Sequence, residues 1–484
     1  MSKENNFYIT TTLAYTNSDP HLGFAAELIK ADVIARWQSL AGKQVVFNTG
    51  TDEHGLKIFQ QAKAAGLSPR AYCDYYAARF ASLKKVLDLS FTNFIRTSDD
   101  YHEKAAQEFW RRCAENGDIY KKTYSVKYCV GCELEKTESE LVNGRCPLHP
   151  NRELELIEED NYFFRFSKYQ QPLLDFYKNH PDFIIPSHRF TEIKNFVAAG
   201  LQDFSVSRLK SKMPNGVPVP GDDEQVMYVW FDALVNYIST LGWPNNEENF
   251  QAFWPAVQVC GKDNLRQQTA MWPAMLLSAG LPLSRQVLIF GFLTANGQKI
   301  SKSLGNGVDL FTLVSQYGAD ALRYYLLTEI PPFEDGDFSE ERLIQKYNAD
   351  LANGLGNLVA RVSNLLEKNN IITSLSTDNE AAARYLSKEE NLASYQFSRT
   401  LQSIWQDITA CNEELSARAP WKLTEREAIA AVLRPLAERI LIIATRLQPF
   451  LPTTAKRLIA QFTQAQIIKG EVLFPRLDAK SKTV

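Results

Sequence analysis

The chain has 484 residues, is 45% hydrophobic and 23% charged, and carries a formal net charge of −3, which is the profile of a globular protein with room for about three domains. No apolar run approaches the roughly 18 residues of a spanning helix, and neither a basic segment nor an apolar leader core opens the sequence, so no membrane association is expected and the cytoplasm is the expected compartment. Seven irregularly spaced cysteines argue against a disulfide framework there and point to metal wherever they cluster.

Phe7 to Thr11 reads as an apolar strand, followed by a polar turn and by His21-Leu22-Gly23 at the opening of a helical run from Ala25 to Leu40. This layout predicts a nucleotide site in an open parallel sheet, where amides at a helix N-terminus meet phosphate. Gly23 lets the backbone come close, and His21 supplies a proton or hydrogen bond. Gln44 to Asn48 predicts the next strand, and strand, helix, strand implies a right-handed crossover. Thr51-Asp52-Glu53-His54-Gly55 is then expected just beyond that strand's carboxyl end, where open α/β sheets bind ligands. A carboxylate there could hold an ammonium group; Asp52 as the cap of the next helix is an equally open reading.

Residues 1–115 form the first expected segment, and from Asn116 the pattern breaks into short irregular pieces that predict an insertion over 116–224. Within it, Cys129 and Cys132, then Cys146 and His149 after thirteen further residues, can close a tetrahedral site of three sulfurs and one nitrogen on a single structural zinc ion. The parallel-sheet pattern is expected to resume over 225–345, with strands at Gln225 to Asp232, Ala256 to Cys260 and Val287 to Thr294, and a helix beginning at Ala233 to Tyr237. Lys299-Ile300-Ser301-Lys302-Ser303 follows. Its two lysines can fold over a triphosphate and stabilise the charge that develops on leaving pyrophosphate. Alone, such a pattern also fits an exposed polar loop; the earlier His-x-Gly favours the functional reading.

From residue 346 to 484 the chain reads as a helical bundle, with stripes at Leu351, Leu355, Leu358, Val359, Val362, Leu365 and Leu366 and again at Leu433, Leu436, Ile440, Ile443 and Leu447. This stretch holds 18 Lys and Arg against 14 Asp and Glu, an excess that permits nucleic acid without requiring it. Asn357, Arg361, Asn412 and Trp421 could contact unpaired bases, although spacing alone makes Trp421 a core residue.

Taken in order, Leu13-Ala14-Tyr15, His21-Leu22-Gly23, Gly50-Thr51-Asp52-Glu53-His54-Gly55, the cysteine and histidine set, Tyr228-Val229-Trp230-Phe231-Asp232-Ala233, Gly261-Lys262-Asp263, Trp272-Pro273-Ala274 and the lysine loop resemble class I aminoacyl-tRNA synthetases. Among these the chain resembles the methionyl-tRNA synthetase family over nearly its full length. The resemblance implies an α/β fold: a Rossmann-type parallel-sheet catalytic domain split by a zinc-binding insertion and followed by an all-α anticodon-binding bundle. It implies an ATP-dependent ligase that forms methionyl adenylate from methionine and ATP with Mg, then passes the acyl group to tRNA(Met). His21, Lys299 and Lys302 would be catalytic, with Gly23, Glu27, Arg208 and Ser301 also on ATP. Asp52 would pair with the substrate ammonium, while Leu13, Tyr15, Trp230, Ala233, Leu234 and Tyr237 line the side-chain pocket beside Gln267 and Gln268. A thioether needs such an apolar, polarizable cage. Asn357, Arg361 and Trp421 match the anticodon readers, a role that replaces the core reading of Trp421. A monomer is expected, since the sequence ends without the appended domain by which some members dimerise.

The sequence also departs from the family. Phe24 stands where a second histidine usually closes the first signature, and a phenyl ring donates no hydrogen bond. Gln267-Gln268 replaces Phe-His, Gln258 and Phe290 each replace a histidine, and Ile300 replaces Met. Two carboxamides beside a thioether would each leave polar atoms unsatisfied at about 1–3 kcal/mol, so either they turn outward or the ligand is polar. Two alternatives follow: a paralogue adenylating a more polar amino acid, and, from Phe24, an inactive tRNA-binding protein.

Overall fold

The structure, a computed structural model, describes residues 5–132, 134–136, 140–295, 297–299, 309–376 and 390–478. Ser301 and Lys302 lie outside the described residues. The chain divides into two compact units, the first made of Met1–Pro20, Val46–Ser82 and Phe91–Ile289, the second of His21–Val45, Leu83–Ser90 and Phe290–Val484.

The first unit is built on a seven-stranded sheet of β1 (Asn6–Thr11), β2 (Ala14–Tyr15), β3 (Gln44–Asp52), β4 (Asn93–Arg96), β5 (Ile184–Ile185), β6 (Val257–Gly261) and β7 (Gln286–Phe290). Its order is β2-β3-β1-β6-β7-β5, with β4 also on β3. The pairs β1 with β6, β2 with β3, β3 with β4 and β7 with β5 are parallel. Tyr8, Ile9 and Thr10 are all buried, as a strand covered on both faces requires. Buried polar groups within the sheet are matched: Thr11 bonds Thr49 at 2.9 Å, and the Asn48 amide donates to Thr10 and Asn236. Beside the sheet an aromatic core forms where Phe109 stacks on Trp272 at 5.4 Å and meets Phe231 edge-on.

Three expectations are corrected here. First, β3 runs through Asp52, so the ligand-binding stretch starts within the strand. Gly50 lies in the strand opposite Ile95 on β4, and the position must be glycine because a Cβ there would lie 1.8 Å from the Ile95 carbonyl. Second, the insertion is regular. Ile119–Cys129 pairs antiparallel with Glu155–Phe164 over ten residues, Leu134–Lys136 and Phe204–Ser205 flank this ribbon, and Ile184–Ile185 joins the main sheet as β5. Third, Asp222–Met227 lies in a separate antiparallel sheet between Ser207–Leu209 and Pro218–Val219, and Trp230 to Asp232 are helical, within Val229–Leu234. An apolar run of that length reads the same for a parallel strand, an antiparallel strand or a buried helix start.

The second unit begins with the helix Leu22–Leu40. A three-stranded sheet of Leu293–Ala295, Gln298–Lys299 and Gly336–Phe338 follows, so the expected strand from Val287 to Thr294 is broken at Gly291. There a Cβ would sit 2.0 Å from the Glu334 carbonyl. The helical region comprises Tyr347–Gly356 with π geometry, Asn357–Lys368, Phe397–Arg418, Arg426–Leu447 and Pro452–Phe462. Both leucine-rich stripes face inward: Leu351, Leu355, Leu358, Val362 and Leu366, and Leu433, Leu436, Ile440 and Leu447, are buried.

Candidate active site, metal cluster and nucleic-acid surface

His21 caps the helix Leu22–Leu40, its Nδ1 accepting the Phe24 amide proton at 3.1 Å. A neutral ring accepting at Nδ1 carries its proton on Nε2. Gly23 gives the ring room, since a Cβ there would approach it to 3.1 Å. Glu27 follows one turn later and is half-buried. Of the residues assigned to ATP by resemblance, His21, Gly23, Glu27 and Lys299 fall in the second unit and Arg208 in the first. Arg208 is buried, donates from Nη1 to Ser205 Oγ and the Ser207 carbonyl at 2.7 Å each, and lies 4.3 Å over the Tyr228 ring.

The residues assigned to the amino acid, Leu13, Tyr15, Asp52, Trp230, Ala233, Leu234, Tyr237, Gln267 and Gln268, all belong to the first unit. Tyr15 and Trp230 pack against one cluster with Tyr128, Val130, Tyr228 and Val229. Asp52 ends β3 beside Tyr15, its register partner on β2, and is 8% exposed. The next residue, Glu53, is clamped by Arg96 through Nε at 2.6 Å and Nη2 at 2.8 Å and by Ser98 at 2.5 Å. Ala233 and Leu234 lie on the helix Val229–Leu234 and Tyr237 on the next turn.

Gln268 does not stand alone, whereas Gln267 Oε1 is buried with no partner among the described residues. Gln258 Nε2 donates to Gln268 Oε1 at 3.2 Å, and Gln268 Nε2 donates to the Tyr237 hydroxyl at 2.5 Å. Both ends of the Gln268 amide are therefore matched and the cost expected for it does not arise, whereas Gln258 Oε1 has no partner among the described residues. Gln267 opens the π-helical turn Gln267–Met271 and is buried.

Sequence reading missed the pairing of His54 with Asp232, an Nδ1 to Oδ2 contact of 2.8 Å with both side chains buried. Burial alone would lower the His54 pKa, but the Asp232 carboxylate, with Glu103 and Glu53 behind it, holds it above its ordinary value. His102 is pushed down to about 3 by burial and by His54, so it stays neutral and bonds Ser239. Both partners of the pair lie in quoted motifs, yet 178 positions separate them and no local spacing pairs them.

The metal-ligand set is brought together as expected: the donor atoms of Cys129, Cys132, Cys146 and His149 all lie within 4.8 Å of one another. Cys132 Sγ is 3.4 Å from Cys146 Sγ and 3.2 Å from His149 Nδ1. Three sulfurs and one nitrogen at such separations fit a tetrahedral zinc ion. Gly131 makes the knuckle possible, since a Cβ there would meet the His149 ring at 2.6 Å.

In the helical region Trp421 is 48% exposed on the turn Pro420–Lys422, and the Arg361 guanidinium lies 5.0 Å over its ring. Asn357, one turn before Arg361 on Asn357–Lys368, is exposed too. This overturns the core reading of Trp421 that spacing alone suggests. Asn412 instead donates to the Gly354 and Ile408 carbonyls and serves packing.

The chain matches the family described as tRNA synthetases class I (M) over residues 7–155 and 135–363. It is 40% identical to the methionine–tRNA ligase of Caldanaerobacter subterraneus subsp. tengcongensis, covering 99% of this chain and 80% of the relative. It is 43% identical to that of Thermosynechococcus vestitus, covering 96% and 92%. A Mycobacterium tuberculosis methionyl-tRNA synthetase bound by methionyl-adenylate superposes with a TM-score of 0.89 at 34% identity, covering 97% of this chain and all of that one.

Proposed function

The chain belongs to the class I methionyl-tRNA synthetase family, and from that membership we propose a role for each group described above. Its reaction is that of a methionine–tRNA ligase: ATP activates methionine as methionyl adenylate, and the acyl group passes to tRNA(Met). Asp52 takes the substrate ammonium, and Leu13, Tyr15, Trp230, Ala233, Leu234 and Tyr237 enclose the thioether, with Gln267 and Gln268 at the pocket wall. His21, Gly23, Glu27, Arg208 and Ser301 receive ATP, while Lys299 and Lys302 neutralise the departing pyrophosphate. The observation that carries this reading is the Gln258–Gln268–Tyr237 chain, because it gives both ends of the Gln268 amide a partner within the wall; the Oε1 atoms of Gln258 and Gln267 are buried with no partner among the described residues.

Cys129, Cys132, Cys146 and His149 hold one structural zinc ion that closes the knuckle. Asn357, Arg361 and Trp421 bind anticodon bases by stacking and edge contacts. The chain then comprises catalytic segments 1–115 and 225–345, an insertion 116–224 and an anticodon-binding segment 346–484, acting as a cytoplasmic monomer. ATP–pyrophosphate exchange across a panel of amino acids tests the specificity. Exchange stimulated by methionine is expected; stimulation by another amino acid alone would reject the assignment, and none at all would favour a tRNA-binding protein without catalysis.

A further inference from the structure

The buried pair of His54 and Asp232 is used by no step above. Its two sides carry different parts of the pocket. On one side the stretch 52–55 leaves β3: Asp52 is its first residue, Glu53 is clamped by Arg96 and Ser98, and Asn215 bonds both the Glu53 carbonyl at 2.8 Å and the Gly55 amide at 3.0 Å. Gly55 has φ 108°, a left-handed conformation that favours glycine and turns the chain away at once. On the other side, Asp232 projects from the helix Val229–Leu234, which also carries Trp230 and Ala233. The His54 carbonyl accepts the Tyr15 hydroxyl at 2.9 Å.

One residue therefore joins three parts of the pocket: Tyr15 through its carbonyl, Asp52 through two peptide bonds, and the cage helix through its ring. We propose that His54 is a positioning residue for methionine, fixing the distance between the carboxylate that takes the ammonium and the helix that encloses the thioether. The inference rests on the methionine reading above. A substrate held at both ends is sensitive to that distance, because a displacement of about 1 Å can cost roughly a hundredfold in rate. The Glu53 clamp and Asn215 keep the stretch in place on its own side; the ring of His54 ties it to the helix.

The test compares His54→Ala and His54→Asn with the wild type in methionine-dependent ATP–pyrophosphate exchange and in equilibrium dialysis of methionine. His54→Ala is expected to raise the methionine KM and Kd tenfold or more while the ATP KM stays within twofold. In His54→Asn the amide nitrogen takes the place of Nδ1 as a donor to Asp232, and the methionine KM returns to within threefold of wild type. An unchanged methionine KM in folded His54→Ala, an equal rise in both KM values, or an Asn variant no better than Ala overturns the inference. If His54→Ala does not fold, the isosteric Asp232→Asn is measured: the loss of the charge-assisted bond is expected to raise the methionine KM threefold to tenfold, and no rise overturns the inference. Wild-type protein without methionine-dependent exchange would reject the functional reading itself, whereas normal wild-type exchange beside indifferent variants removes the positioning role alone.

Discussion

Gln268 places a carboxamide in a buried setting where both ends of the amide are matched, by Gln258 and by Tyr237. Removing the middle member leaves polar groups on either side without their partner. Gln268→Leu is expected to lower stability by about 1–3 kcal/mol, read from the urea midpoint, and the double variant with Gln258→Leu should cost less than the sum of the single losses. Asp52 is a different case, since its carboxylate is assigned to the substrate. Asp52→Asn keeps the shape and removes the charge; a hydrogen bond to a charged group contributes about 1.5–3 kcal/mol, so the methionine KM should rise roughly tenfold or more with the ATP KM unchanged. Exchange kinetics in which both constants move together would reject the ammonium assignment. Asp52, His21 and Trp421 stand out in the sequence only through the motifs that resemble the family, and spacing alone puts Trp421 in the core. The pairings that support them do not stand out: Gln258 with Gln268 and His54 with Asp232 are made by the fold, and each partner alone looks like a departure or an ordinary polar residue.

At the scale of elements, the cysteine and histidine knuckle and the Trp421 turn make opposite demands on their surroundings. The knuckle closes only because Gly131 leaves the His149 ring its place. Gly131→Ala is therefore expected to displace one of the four donors, and elemental analysis of purified protein should show zinc falling well below one ion per chain. The Trp421 turn presents a half-exposed indole under a guanidinium, the ring proposed to stack on a base. Stacking contributes about 1–3 kcal/mol per base, so Trp421→Ala should weaken tRNA charging by roughly fivefold to a hundredfold and leave pyrophosphate exchange intact; undiminished charging would reject the anticodon role. The longer elements, β1 and the helix after His21, were legible because their apolar patterns persist over many residues. Ile184–Ile185 was not, since two residues display no period, and Asp222–Met227 was misassigned because strand direction leaves no trace in local spacing. Gly50 reads as a loop glycine and Gly291 as a strand residue, yet each is dictated by a carbonyl from a distant segment.

At the scale of the whole molecule, the second compact unit must gather three stretches remote in sequence, 21–45, 83–90 and 290–484, and Arg323 is where they meet. Its side chain is fully buried and pairs with Asp32 at 2.8 Å from the first stretch. It donates to the Leu87 carbonyl at 3.3 Å in the second, and to the Phe450 and Pro449 carbonyls at 2.7 and 2.9 Å in the third. Asp32 in turn accepts from Arg36 and from both the amide and the hydroxyl of Ser90. A guanidinium suits this task, having five donors in a rigid plane. Desolvating two charges offsets much of what their attraction contributes, so the pair specifies the assembly more than it adds stability, whereas removing one partner leaves the other charged and buried at about 3–5 kcal/mol. Arg323→Met should accordingly lose up to about that much in urea unfolding, because Asp32 loses its fully buried cation and keeps only the partly exposed Arg36. Asp32→Asn alone should lose a comparable amount, and Arg323→Met with Asp32→Asn should recover a substantial part of the loss. If instead the double variant is as unstable as the sum of the singles, the buried charge is not the reason Arg323 is needed, and its bonds to the Phe450, Pro449 and Leu87 carbonyls carry the assembly by themselves.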